Sequence, residues 1–352
     1  MPYLPIIIVA FLVAFVNYMF TKWFIKYARV KRITDIPSER SSHVRPTPRG
    51  GGVGFVGFLF ITFSAYLIIF GSHLGIDVLI FLMALLLISV LGWFDDRNNL
   101  SRRARFGVQL IASLLILIFI QNLSHIAIPS IGVFSLGILG FVAGIIWITG
   151  VTNIYNFMDG VDGLSSVQAI SATAGWCILF YIYQQQDLFV LNIFVAAGVI
   201  GFLFLNWSPA RIFMGDVGSL FLGFLFGVMP LMASAYSNQI DSGEALWFGA
   251  ILLWPFLFDG AFTIIRRFLN KENIFEAHRS HLYQRLNIIG WSHKKISSHY
   301  ALFSIFSLII GLYYMWGSEI ERVIAITLLI VSSFIFALFV NNREAASAKA
   351  EI

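Results

Sequence analysis

The sequence predicts an all-α integral membrane protein with about eleven transmembrane helices. Two observations carry this. Of 352 residues, 59% are apolar and only 12% charged, whereas a soluble domain is about 25% charged. The apolar residues also fall into runs of roughly the 20 residues that a helix needs to cross a bilayer. The expected spans are about 3–24, 51–71, 76–94, 106–121, 131–151, 164–184, 188–206, 217–236, 245–265, 299–317 and 321–341. The first has no positive segment before it and is too long for a signal peptide, and Lys22 and Lys26 follow it. This places the N-terminus outside and the C-terminus in the cytoplasm.

Eleven spans make the loops alternate, and 22 of the 23 Lys and Arg then fall on one side, Arg322 being the exception. That is the positive-inside pattern, and it accounts for the net charge of +5 without nucleic acid. The lone Cys177 allows no intramolecular disulfide and no cysteine metal site. No repeat or soluble domain is visible. Residues 1–352 read as one transmembrane domain, and the stretch 266–298 carries a short interfacial helix.

Five motifs lie on the expected cytoplasmic side, in loops about 25–50, 95–105, 152–163, 207–216 and 266–298. In the first loop, His43, Arg45 and Arg49 precede Gly50-Gly51-Gly52. They offer phosphate donors beside backbone that a ligand can approach closely. A positive-inside loop followed by a glycine-rich packing face explains them equally well. Asp95 and Asp96 end the third span, before Asn99. Adjacent carboxylates call for a cation, or form a capping pair before Arg102, Arg103 and Arg105.

The loop Asn153-Ile154-Tyr155-Asn156-Phe157-Met158-Asp159-Gly160-Val161-Asp162 contains no Lys or Arg. Asn156 and Asp159 share a face if that loop is helical. Asn206 and Phe213 flank Arg211, and Asp216 opens the next span, where it could cap a helix. His278, Arg279 and His281 form a basic box suited to a diphosphate. An interfacial basic helix is its plainer reading. Carboxylates near hydrocarbon are costly and usually functional, and a cation site of hard oxygen ligands without cysteine points to Mg²⁺ or Mn²⁺ with a phosphorylated substrate. Asp259, inside a span, either pairs with a cation or serves the site.

In this order, the five motifs resemble the polyprenyl-phosphate N-acetylhexosamine-1-phosphate transferase family, from about Asp35 to Arg285. The segment His278-Arg279-Ser280-His281-Leu282-Tyr283-Gln284-Arg285 looks most like the branch that starts O-antigen synthesis with fucosamine- or quinovosamine-type sugars. The resemblance implies transfer of a hexosamine-1-phosphate from a UDP-N-acetylhexosamine to undecaprenyl phosphate, with release of UMP. It makes Asp216 the main metal ligand, with Asp95 and Asp96 near the metal and the lipid phosphate. Asn156 and Asp159 support the metal and diphosphate, and Asp159 joins Asp95 and Asp96 as a catalytic carboxylate. Asp162, Asn206 and Phe213 match the uridine pocket, and His278, Arg279 and His281 hold the diphosphate.

His43, Arg45 and Arg49 lie where the family holds the acceptor phosphate, although a lysine of the peptidoglycan enzyme has no counterpart here. Asn99 stands where some relatives carry a further acid. The resemblance also implies membrane lipids and a second copy of the chain as partners. Rival readings are a lipid-diphosphate binder or flippase, and a secondary transporter, which would hold its acids near the midplane between repeats. A CDP-alcohol phosphotransferase would need an acidic spacing that the chain lacks.

Overall fold

Helix-forming apolar runs dominate the architecture. The computed structural model describes residues 4–37, 45–71, 75–273, 276 and 278–350, with side chains described to residue 347. His43 lies outside the described residues. The helices are α1 (Leu4–Val30), α2 (Gly52–Phe70), α3 (Ile76–Asn98), α4 (Arg102–Phe119), α5 (Leu139–Phe157), α6 (Leu164–Ile182), α7 (Gln186–Asn206), α8 (Asp216–Ala235), α9 (Ser242–Leu252), α10 (Trp254–Leu269), α11 (Leu282–Ile288), α12 (His293–Trp316) and α13 (Glu319–Ala350). Two small antiparallel ribbons, β1 (Thr34–Asp35) with β2 (Thr47–Pro48) and β3 (His125–Ile128) with β4 (Gly132–Ser135), interrupt them. The chain is an all-α polytopic membrane protein.

Among the described residues, nine helices are long and apolar enough to cross a membrane. Two of the expected spans differ in kind from these nine. The span near 106–121 is α4, an eighteen-residue helix that begins earlier, at Arg102, behind a Ser101 cap accepting from the Ala104 amide at 3.2 Å. Its first turn carries Arg102, Arg103 and Arg105. The span near 245–265 breaks into α9 and α10, bent by 81° at Leu253. The reason is Pro255, which supplies no amide hydrogen and starts a helix better than it continues one.

The span expected at 131–151 is corrected at its start. Its first residues form β4, paired Ile126 with Phe134 and Ile128 with Gly132, and α5 begins only at Leu139. His125 ties this ribbon to the start of α9 through Asp241, at 2.5 Å, while Asp241 also accepts from the Gly243 amide at 2.8 Å. Within 266–298, where a short helix is expected, the chain forms α11.

The center of the bundle is α8, surrounded by α2, α3, α5 and α9, with nearly every side chain from Val217 to Ala233 buried. A helix apolar all round belongs in such a position. Close approach to α3 needs Gly92, where an added Cβ would lie 2.4 Å from the Asp216 carbonyl oxygen. This contact brings the end of α3 to the start of α8 and so assembles the acidic motifs.

Candidate active site

The end of α3 meets the start of α8 through Asp96. Its carboxylate, 1% exposed, accepts from the Asp216 amide at 2.8 Å and the Val217 amide at 3.2 Å. These are two of the amides that a helix start leaves unpaired. Arg49, just after β2, reaches Asp96 at 2.7 Å through Nε and Asp216 at 2.9 Å through Nη2. Burial would lower the Arg49 pKa, but Asp216, Asp96 and Asp35 beside it raise it instead. The loop carrying Arg49 is fixed by backbone bonds from Gly51 to Phe213 at 2.9 Å, Gly52 to Met214 at 2.8 Å and Phe213 to Pro48 at 2.8 Å.

Asp95 faces another way. Its oxygens accept from the Leu100 amide at 2.7 Å and Arg105 at 3.1 Å, and its carboxyl also meets that of Asp216 within hydrogen-bonding reach. Asn156, at the end of α5, donates to Asp216 at 3.0 Å and to Ser219 at 2.8 Å. Asn99 ends α3 in a left-handed conformation, φ 47°, which asparagine tolerates better than most residues.

A cavity of about 240 Å³ opens on this cluster, and its walls include Asp35, Arg49, Asn156, Asp159, Asp162, Asn206, Phe213, Asp216, Arg279, Gln284 and Asn287. Burial, with Asp216 and Asp96 nearby, pushes the Asp159 carboxyl up to about 7. Asp162 goes the other way. Burial would raise it, but bonding to His293 at 3.0 Å and to the Ala210 amide at 3.1 Å holds it below the usual carboxylate range. Asn206 ties loops together, accepting from the Gly163 amide at 3.0 Å and donating to the Ile212 carbonyl at 3.0 Å.

A second cavity, about 690 Å³, adjoins the first and shares Asp35 and Arg49 with it. Its other walls include Lys31, Arg32, Asp96, Arg97 and Asn99. The structure therefore gathers most of the expected residues. Arg45 is exposed and lies on neither cavity, and neither do Asp95, His278 and His281. His278 accepts from the Ser280 hydroxyl at 2.9 Å, while burial and the nearby His281 depress its pKa to about 4. The imidazole of His278 is therefore neutral near pH 7. His281 is turned inward onto Asp259.

The oxygen donors bear on a divalent ion. Among the described residues, no three acidic, histidine or cysteine side chains converge to hold a metal by themselves. Asp95 and Asp216 do converge, and two carboxylates in contact need a proton or a cation between them. Such a pair fits Mg²⁺, which commonly takes one or two carboxylates and completes its shell with water and substrate phosphates. Asp96, like Asp95, has both oxygens engaged, in its case by the first two amides of α8.

Residues 78–234 match the profile of glycosyl transferase family 4. The chain is 29% identical over 290 residues to a probable undecaprenyl-phosphate N-acetylglucosaminyl 1-phosphate transferase of Bacillus subtilis, covering 82% of this chain and 79% of that one. In that segment, and along most of its length, the chain is similar to the polyprenyl-phosphate sugar-1-phosphate transferases. It is also 28% identical to a decaprenyl-phosphate N-acetylglucosaminephosphotransferase of Mycobacterium tuberculosis, over 74% of this chain and 70% of that one. To a phospho-N-acetylmuramoyl-pentapeptide-transferase of Latilactobacillus sakei it is 29% identical, over 82% and 92%. The family segment takes in Asp95, Asp96, Asn156, Asp159, Asp162, Asn206, Phe213 and Asp216. Arg49 and the α10–α11 region lie beyond it and reach the same cavity through the fold.

Several residues at the site had no role assigned from the sequence. Asp35 follows the first basic run and Arg105 lies ten residues after Asp95. Gln284 and Asn287 are uncharged, and their spacing of three acquires meaning only once α11 is known to be helical.

Proposed function

We propose that this chain transfers an N-acetylhexosamine-1-phosphate from a UDP-N-acetylhexosamine, of the GlcNAc, FucNAc or QuiNAc type, to undecaprenyl phosphate. The reaction takes place at the cytoplasmic face of a bacterial inner membrane, in a homodimer, and starts an O-antigen-like polysaccharide. The observation that carries this reading is the pair of cavities that meet at Arg49 and Asp35. One is rich in carboxylates and amides and includes the Phe213 ring, as a nucleotide diphosphate held with a cation requires. The other has Lys31, Arg32 and Arg97 for a phosphate. Arg97 lies 3.9 Å over the Trp93 ring, an arrangement suited to a lipid–water boundary.

In this reading an acceptor phosphate oxygen attacks the β-phosphorus of the UDP-sugar. A new P–O bond forms, the bond between the β-phosphorus and the bridging oxygen breaks, and UMP leaves with that oxygen. An acceptor phosphate whose second pKa is near 6 is mostly dianionic at neutral pH, so no base is needed to remove a proton from it. Positioning and charge stabilisation then dominate. Arg49 and Arg279 stand where they can neutralise the diphosphate, Phe213 offers a face for the uracil, and Asn156 fixes the Asp216 carboxylate. When bound by Asp95 and Asp216, Mg²⁺ or Mn²⁺ would supply further charge neutralisation at the phosphates.

The test is UMP release by the purified protein in detergent, with undecaprenyl phosphate, Mg²⁺ and a panel of UDP-HexNAc donors. Release that needs both substrates, stops with EDTA and is absent in Asp216→Asn is the expected result. Folded protein that binds a lipid diphosphate but releases no UMP with any donor would be a binder or flippase instead.

A further inference from the structure

Asp259 lies in α10, 1% exposed, and lines neither cavity. Five donors converge on it. Its Oδ1 accepts from the Leu282 amide at 2.8 Å, His281 Nδ1 at 3.1 Å and the Thr263 hydroxyl at 3.2 Å. Its Oδ2 accepts from the Tyr300 hydroxyl at 2.6 Å and the Tyr283 amide at 3.2 Å. A buried carboxylate persists only when it is bonded as completely as this.

Two of the donors are the first amides of α11, so Asp259 caps that helix from a different element. A third fixes the His281 ring. An ionised carboxylate can only accept, so the hydrogen sits on Nδ1. The helix is seven residues long, too short to be stable alone. Its placement comes from its anchors, and the cavity wall depends on that placement. Arg279 lies two residues before His281, while Gln284 and Asn287 are on α11 itself.

The other anchors of α11 are of a different kind. The Tyr283 hydroxyl donates to the Phe157 carbonyl at 2.9 Å. That hydroxyl lies where Gly160 would carry a Cβ, 2.2 Å away, so the close approach is open only to glycine. At the far end Arg285 bonds Asn341 at 2.7 Å and pairs with Glu344. Asp259 is the anchor that joins backbone and imidazole at the same point.

We propose that Asp259 is a positioning residue for the nucleotide-sugar half of the site. By capping α11 and holding His281 in its Nδ1–H form, it sets Arg279, Gln284 and Asn287 on the cavity wall and does not itself touch substrate. The identity of the ligand rests on the transferase reading; the positioning does not.

The test compares full-length Asp259→Asn and Tyr300→Phe with the wild type. Asparagine keeps the volume but offers one carbonyl oxygen and turns an NH₂ toward donors. The expected result for Asp259→Asn is a donor KM raised about tenfold or more, with the acceptor KM unchanged within about twofold. Tyr300→Phe removes one bond of five and gives a smaller rise of about two- to fivefold. Combining Asp259→Asn with His281→Gln adds little further, because both act through one unit. ¹⁵N NMR shows wild-type His281 as the Nδ1–H tautomer.

A folded Asp259→Asn enzyme with wild-type donor KM overturns the proposal. So does a parallel change in both KM values with a lowered melting temperature, which marks general damage. If Asp259→Asn does not fold, Tyr300→Phe with an unchanged donor KM, or a wild-type His281 in the Nε2–H form, overturns it instead. Wild-type protein that binds UDP but releases no UMP defeats the transferase reading alone, and the affinity of the variants for UDP then decides the positioning role.

Discussion

Asp96 holds Asp216 by its backbone, with 2.8 Å between the Asp96 carboxylate and the Asp216 amide. The same carboxylate lies 2.7 Å from Arg49, whose other arm reaches the Asp216 side chain. A carboxylate at a helix start also meets the positive end of the helix dipole. Asp96 therefore places the residue whose side chain, 16% exposed, opens on the cavity.

These two acids are expected to fail differently. Asp216→Asn should abolish UMP release while leaving the melting temperature close to that of the wild type. Asp96→Asn should lower both, because an amide cannot accept from two backbone amides and an arginine together. The loss of the cap alone is about 1 kcal/mol. Thermal unfolding followed beside UMP release separates the two cases.

Arg49→Lys keeps the charge but not the fork that spans Asp96 and Asp216. An ammonium is a point charge and cannot reproduce that fork. The expected result is a loss of kcat of about tenfold or more, with Arg49→Ala worse still. Wild-type turnover in Arg49→Lys would show that only charge matters at this position.

His278 gives a pH dependence with a defined sign. Its folded pKa, about 4, is below that of the free side chain. Its contribution to stability is present above about pH 6.5 and is lost as pH falls toward 4, because the unfolded chain takes up the proton first. His278→Gln should flatten the fall in melting temperature across that window. It should also retain most activity at pH 7.5, where the imidazole is already neutral, while Arg279→Gln should not.

Gln284 and Asn287 line the cavity from α11, Gln284 also accepting from the His281 amide at 3.3 Å and Asn287 donating to the Trp291 carbonyl at 3.1 Å. Changing either to alanine should raise the donor KM by about three- to tenfold, as expected for the loss of one hydrogen bond. If they read the sugar, the change will be larger for the preferred UDP-HexNAc than for its competitors. A donor panel run on each variant measures this.

The apolar runs were legible as helices because burial in lipid needs length and hydropathy more than shape. Where two structures shared one apolar run, that signal failed. Ile131, Val133 and Phe134 continue into Leu139 without a charged residue, so a β-strand and a helix read as one span. The break between α9 and α10 also falls inside an apolar run, where Pro255 is the residue that marks it. Asp95 and Asp96 looked alike as neighbours, yet successive helix positions point about 100° apart. One therefore faces Arg105 and the other faces α8. Asn99 looked like a missing acid, whereas its backbone conformation gives a reason for asparagine there.

Asp162 bonds residues far along the chain. Its carboxylate meets His293, and its backbone carbonyl accepts from the Ser297 hydroxyl at 2.6 Å. During synthesis the chain emerges from its N-terminal end at about 5–20 residues per second, so several seconds separate Asp162 from these partners. Through that interval the loop that carries Asp162 can hold the Ala210 amide but not its partners on α12. Completion of the late helices thus sets the moment at which this part of the cavity wall can first take its final form.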